Sequence, residues 1–179
     1  MGAELHVKRS DPVGFTLVEI LIVVVVLGIL AAIVVSQFGH TSDEARYSST
    51  KQILGDMRGS IQLYRNQHLG RLPGEAGAFP DTVLIEQMTL PTNGAGERSS
   101  AANQGFNDPR FPLGPYMPNR LPPNPFNQSS RVLTVTVFPS AAPGGLTPSD
   151  PGWVYEITSG RIKVNWDGKT PAGDLYWDL

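Results

Sequence analysis

The sequence predicts an α+β protein in which a long N-terminal helix, membrane-spanning in its first half, packs on a small antiparallel sheet inside a loop-rich C-terminal domain. Three observations carry this reading. An apolar run, VGFTLVEILIVVVVLGILAAIVV, occupies residues 13–35 and holds one charge, Glu19. A polar segment with apolar residues at helical spacing follows it. Past Leu69 lie most of the 19 Gly and 16 Pro of the chain, and toward its C-terminal end stand three short runs rich in β-branched residues.

From Phe15 to Val35 the chain departs from Leu, Ile, Val, Ala and Phe only at Thr16, Glu19 and Gly28. A helix over this stretch reaches about 30 Å, the hydrocarbon thickness of a bilayer. The Val-rich composition suits a buried strand as well, but strands run about 4 to 8 residues and no breaker interrupts this run. Length therefore selects a transmembrane helix over residues 15–38. Lys8 and Arg9 precede it, so the positive-inside rule sets the N-terminus in the cytoplasm and the C-terminal domain across the membrane. A cleavable secretory signal is the competing reading, although its apolar region spans about 7 to 15 residues and ends at a small-x-small site. The formal net charge of -2 and the pI near 5.9 speak against a nucleic-acid partner. With no cysteine, the exported domain has neither disulfides nor thiolate metal sites and depends on its own core.

Glu19 needs a reason. A carboxylate in a transmembrane segment costs about 2.5 to 3.5 kcal/mol at the bilayer centre and as a rule has a function. A place near the interface lowers that cost without giving the residue a task. The residues GFTLVEILIVVVVLGILAAIV resemble the N-terminal signature of type IV pilins and type II secretion pseudopilins, with the major pseudopilin nearest in pattern. In that family a short basic leader ends in Gly, prepilin peptidase cuts after it, the exposed Phe is N-methylated, and a Glu stands at the fifth mature position. The resemblance implies that residues 1–14 are a leader, that the chain is cut between Gly14 and Phe15 and methylated at Phe15, and that Phe15 and Glu19 serve assembly. The amine released at Phe15 has an ordinary pKa of about 7.7 to 8.0, so it is largely cationic at the interface. The resemblance implies that in a filament Glu19 of one subunit meets the Phe15 amine of its neighbour, a pair that would set the axial register as one buried polar residue does in a coiled coil. The same pairing is open within a single helix.

Residues 39–68 extend the helix with an amphipathic half. Ile53, Leu54, Met57, Ile61 and Tyr64 recur near a 3.6-residue period, so one face packs on the C-terminal domain. Thr41 or Ser42 with Glu44 resembles a capping signal and admits a break near Gly39. The pilin family often carries Pro where Ser36 stands, and its absence removes one expected kink. Residues 69–179 form the exported domain. Within it, residues 70–130 are dense in turn formers, with one apolar piece, DTVLIEQMTL, read as a short helix over 81–90. Phe79, Phe106, Phe111, Tyr116 and Phe126 give these loops something to bury. Strands are expected near 131–138, 153–158 and 161–166, the last two joined by a two-residue hairpin at Ser159 and Gly160. SAAPGGLTPSDPG between the first two reads as a flexible loop. A small antiparallel sheet on the C-terminal half of a long helix is the type IV pilin-like architecture that the resemblance implies.

His6, His40 and His68 share no metal-binding spacing, and each reads as an exposed polar residue. No Ser sits in a nucleophile elbow and no Gly-rich loop opens a helix to cradle phosphate, so enzyme activity is not expected. The tail WDGKTPAGDLYWDL sets Asp167, Asp174 and Asp178 in a Gly-bearing loop whose hard oxygens suit Ca2+. The resemblance also implies calcium in a C-terminal loop, while the irregular spacing suits an ordinary solvated turn. In sum the resemblance implies a structural subunit of a type II secretion pseudopilus in the cell inner membrane, with its C-terminal domain periplasmic. Its partners would be itself, other pilin-like subunits, prepilin peptidase and the inner-membrane assembly platform, and the filament, polymerised through N-terminal helix packing, would drive protein export. The alternatives are a type IV pilus subunit for adhesion, motility or DNA uptake, and a single-pass anchored binding module that does not polymerise.

Overall fold

A computed structural model of the chain describes residues 14–75, 80–100, 108–117, 120–144 and 147–179, with the backbone alone at 35–41. Leader residues 1–13 with His6, the side chains of Ser36 and His40, and Phe79 and Phe106 lie outside the described residues. The chain divides into two units, Met1–Thr41 and Ser42–Leu179. Helix α1, Leu17–Gln67, contributes to both. It continues through Gly39 without the break that the Thr41–Glu44 signal suggested. One Gly in a helix interior costs only about 1 kcal/mol relative to Ala, and the cooperative turns on either side outweigh it.

In the first unit α1 is apolar on every side. All the side chains from Leu17 to Val34 are exposed, and this segment is long and apolar enough to cross a membrane by length and composition.

In the second unit α1 buries one side only. Thr50, Leu54, Met57, Ile61, Tyr64 and His68 are all buried, and their alternating steps of four and three residues put them in one stripe. Beyond this stripe Leu69 adopts the left-handed conformation (φ 57°), the Gly70 N–H donates to the Arg65 carbonyl (2.9 Å), and the helix ends. A second helix, α2, runs over Pro80–Thr89, close to its expected limits. Pro80 suits the first helical position because its missing N–H would have had no helical partner there. Val83, Leu84, Gln87 and Met88 turn one face of α2 inward.

Three strands form one sheet in the order β1 (Val132–Val135), β2 (Trp153–Glu156), β3 (Arg161–Val164). The sheet is mixed, which corrects the antiparallel expectation. β2 and β3 are antiparallel, but β1 pairs with β2 in parallel, Val132 opposite Trp153 and Val135 opposite Glu156. Residues 136–152 make the reversal possible, since a parallel pair needs a return connection of about a dozen residues or more. Trp153 and Tyr155 face the α1 stripe and join Leu54, Met57, Ile61 and Tyr64 in the core. Lys163, opposite Val154 in the register, marks the other face of the sheet. There its ammonium lies 4.8 Å from the Trp177 ring and 5.3 Å from Phe138. α2 closes the free edge of β1, where the Asp81 carboxylate accepts the Thr134 N–H (2.9 Å) and the Thr134 hydroxyl.

The β2–β3 hairpin also differs from expectation. The last pair is Glu156 with Arg161, so residues 157–160 form the turn and not Ser159 and Gly160 alone. Gly160 takes a positive φ of 75° and donates its N–H to the Glu156 carbonyl (2.8 Å), the left-handed position that longer hairpin loops assign to Gly. The buried Glu156 carboxylate accepts from the Ser159 hydroxyl, from Arg161 (2.9 Å) and from the Phe138 N–H (3.0 Å). The Ser159 hydroxyl and then Arg161 hold its carboxyl below the usual carboxylate range.

The described part of the 140–152 loop, read as flexible, is held by side-chain amides. Asn165 accepts the Gly144 N–H (3.0 Å) and donates to the carbonyls of Gly144 (2.9 Å) and Pro151 (2.8 Å), and Asn124 donates to the Gly152 carbonyl (2.7 Å). Each amide replaces backbone partners that a loop cannot find in a ladder.

Candidate processing and assembly segment

Gly14, Phe15 and Thr16 carry no regular secondary structure, and α1 begins at Leu17. Phe15 is 80 % exposed. Thr16 is the N-cap. Its carbonyl accepts the Ile20 N–H (3.3 Å) and its hydroxyl oxygen accepts the Glu19 N–H (3.2 Å). The Glu19 carboxylate returns to accept the Thr16 N–H (3.4 Å). This reciprocal pair is a capping box, which satisfies two donors that a helix start leaves without partners. The carboxylate also sits in the first turn, where the helix dipole favours negative charge.

Glu19 therefore has a task that needs neither a free amine at Phe15 nor a second subunit, so its presence alone does not separate a filament subunit from a monomeric anchor. The signal was open in the sequence, because Thr16-x-x-Glu19 ahead of an apolar run is the capping-box pattern.

The C-terminal carboxylates are not brought together. Among the described residues no group of three or more His, Cys, Asp or Glu is placed to hold a metal ion. Asp178 lies 3.9 Å from the Lys163 ammonium. Asp174 and Asp167 are exposed. The tail between them is a closed turn in which the Thr170 N–H donates to the Asp174 carbonyl (2.7 Å) and the Tyr176 N–H to the Gly168 carbonyl (3.1 Å).

His68 corrects its reading as an exposed residue. It is fully buried, stacked on Tyr64 with ring centroids 3.7 Å apart and edge-on to Tyr116 at 5.9 Å. Its Nδ1 lies 2.8 Å from the Tyr64 carbonyl and its Nε2 3.0 Å from the Thr92 hydroxyl. A carbonyl only accepts, so Nδ1 donates to Tyr64, and Nε2 pairs with the Thr92 hydroxyl. Burial pushes the neighbouring Tyr64 phenol up to about 12, with Tyr116 adding to the shift. The signal for His68 was its place four residues beyond Tyr64 in the apolar stripe. Arg58, which sequence reasoning also passed over, donates from one face of α1 to the carbonyls of Ile162 (3.1 Å) and Leu179 (2.8 Å) and ties the helix to the sheet and the tail.

With an N-terminal apolar helix, a second helix and a small mixed three-stranded sheet, the chain has a pilin-like α+β fold. Over 58 residues it is 40% identical to the type II secretion system core protein G of Pseudomonas aeruginosa. The similarity covers 32% of this chain and 41% of that protein, so the chain spans about two fifths of the length of the curated relative it matches. No protein-family model matches the chain, and no solved structure matches it.

Proposed function

We propose that this protein is a structural subunit of a type II secretion pseudopilus, made with a leader that prepilin peptidase removes between Gly14 and Phe15 and then methylated at Phe15. The observation that carries the proposal is the 40% identity over 58 residues to a secretion-system core protein. The uncovered apolar helix supports it, because side chains exposed along Leu17–Val34 require a medium. Lipid is that medium before assembly, and the same segment of neighbouring copies replaces it within a filament. Cleavage would add an amine at Phe15, one residue before the capping box, so that the Glu19 carboxylate faces a new cation at the helix start. The role is structural rather than catalytic, with other pilin-like subunits and an inner-membrane platform as partners in export.

Mass spectrometry of the N-terminus of the protein purified from its native membrane tests this directly. The expected species begins at N-methylated Phe15. An intact Met1, or a cut near Val35, overturns the proposal.

A further inference from the structure

The sequence holds two patterns for a helix start at the head of the apolar run. Asp11 followed by Pro12 is a start pattern in its own right, with Asp as N-cap and Pro at the first helical position. A helix begun there would run on through Gly14 and Phe15 into the apolar segment. The Gly14 carbonyl would then accept the Val18 N–H, and a peptidase would have to unwind that turn before reaching the Gly14–Phe15 bond. The observed helix starts later, at Leu17, under the reciprocal Thr16–Glu19 capping box. Gly14 and Phe15 are left outside it, and a side chain built on Gly14 would meet nothing within 4 Å.

We propose that Thr16 is a positioning residue for leader removal, which halts α1 short of the Gly14–Phe15 bond and keeps that bond out of the helix. The proposal rests on the processing reading above. Thr16 acts through the backbone conformation of its neighbours and exchanges no atom with the reacting bond. A Thr N-cap typically favours its own helix start by roughly two- to thirtyfold, and that factor bounds what its removal can do.

The test uses the full-length chain in membrane vesicles with a prepilin peptidase, comparing initial rates of leader removal. Thr16→Val keeps the shape and removes the acceptor; it slows cleavage severalfold, up to about thirtyfold if the Asp11 start takes over completely. Thr16→Ser keeps the cap and is cut at the parental rate. In the double variant Thr16→Val with Leu17→Pro, the proline disfavours helical geometry at residue 16 and suits the first helical position, so it restores the start without the hydroxyl and brings the rate back. Hydrogen exchange supplies a readout independent of cleavage, since the Leu17 and Val18 amides gain protection in Thr16→Val alone.

Cleavage of Thr16→Val at the parental rate overturns the proposal. So does a slow Thr16→Val whose rate the added Leu17→Pro change fails to restore while Thr16→Ser is cut normally, because the peptidase would then be reading the hydroxyl itself. If the parental chain is not cut after Gly14 at all, the processing reading fails with this one, whereas unequal rates on a correctly cut parent concern the cap alone.

Discussion

Two stretches of helix α1 share one backbone conformation and have opposite surroundings. From Leu17 to Val34 the side chains are aliphatic on all sides apart from Glu19 and none is buried, whereas from Thr50 to His68 one stripe is buried under the sheet and the remaining faces are mostly polar, with Leu63 exposed among them. Hydrophobicity alone does not account for the difference, since both stretches contain Leu and Ile. The distribution around the helix does. A helix apolar all round has no polar face to leave in water and calls for a medium that surrounds it, while a single stripe calls for one packed partner.

Truncations along α1 should separate these two kinds of apolar residue. Leu54→Ala lowers the unfolding free energy of the second unit by about 2–5 kcal/mol, because Leu54 is 1 % exposed and its loss leaves a cavity. Val24→Ala leaves the same transition within about 0.5 kcal/mol, since Val24 touches no packed core. Chemical denaturation of the full chain in detergent measures both, and equal effects would erase the distinction between the segments.

Packing away from the stripe is as exacting as the stripe itself. A Cβ on Gly152 would stand 2.2 Å from the Ser129 carbonyl oxygen and 2.9 Å from the Asn124 Cβ, contacts with backbone and a core-facing amide that cannot step aside. Gly152→Ala is expected to cost about 1–3 kcal/mol or more, read as a lower melting temperature by circular dichroism. At the end of the stripe, His68→Phe retains the stacked ring and removes the ring's bonds to the Tyr64 carbonyl and the buried Thr92 hydroxyl. A loss of about 1–3 kcal/mol is expected, with little change in secondary structure.

A smaller effect depends on pH. The Glu156 carboxyl lies below its ordinary value in the folded chain, so the unfolded chain binds more protons between the folded value and about 4.3. Its contribution is complete above about 4.3 and is lost as the pH falls through the folded value. Glu156→Gln should flatten that part of the stability profile measured by urea titration across acidic pH. The smallest response is expected from calcium. With Asp167, Asp174 and Asp178 apart, adding Ca2+ or EDTA should leave the melting temperature unchanged, and a rise with Ca2+ would mean that the tail rearranges to gather oxygen ligands.

Much of this protein was legible from residue order because the signals are local. The apolar run, the periodic stripe at Leu54, Met57, Ile61 and Tyr64, the short helix near residue 81 and the β2–β3 hairpin all follow from patterns within about a dozen residues. Thr16 was legible in the same way and was missed. Other features had no local signal. Nothing in RVLTVTV states which way β1 runs beside β2, since strand direction depends on where residues 136–152 lead the chain.

The sequence by itself therefore determined that α1 needs two environments, because the circumference of a helix is written into its residue spacing. It also placed the Gly14, Phe15 and Glu19 signature at the edge of the apolar run. Only the tertiary structure decided that His68 meets the Thr92 hydroxyl in the core and that Asn124 and Asn165 hold loops in place. A polar side chain has no preferred depth of its own. Its place is set by the partners that folding brings within hydrogen-bond distance, and Thr92 for His68, Gly152 for Asn124 and Gly144 and Pro151 for Asn165 are all remote in the chain.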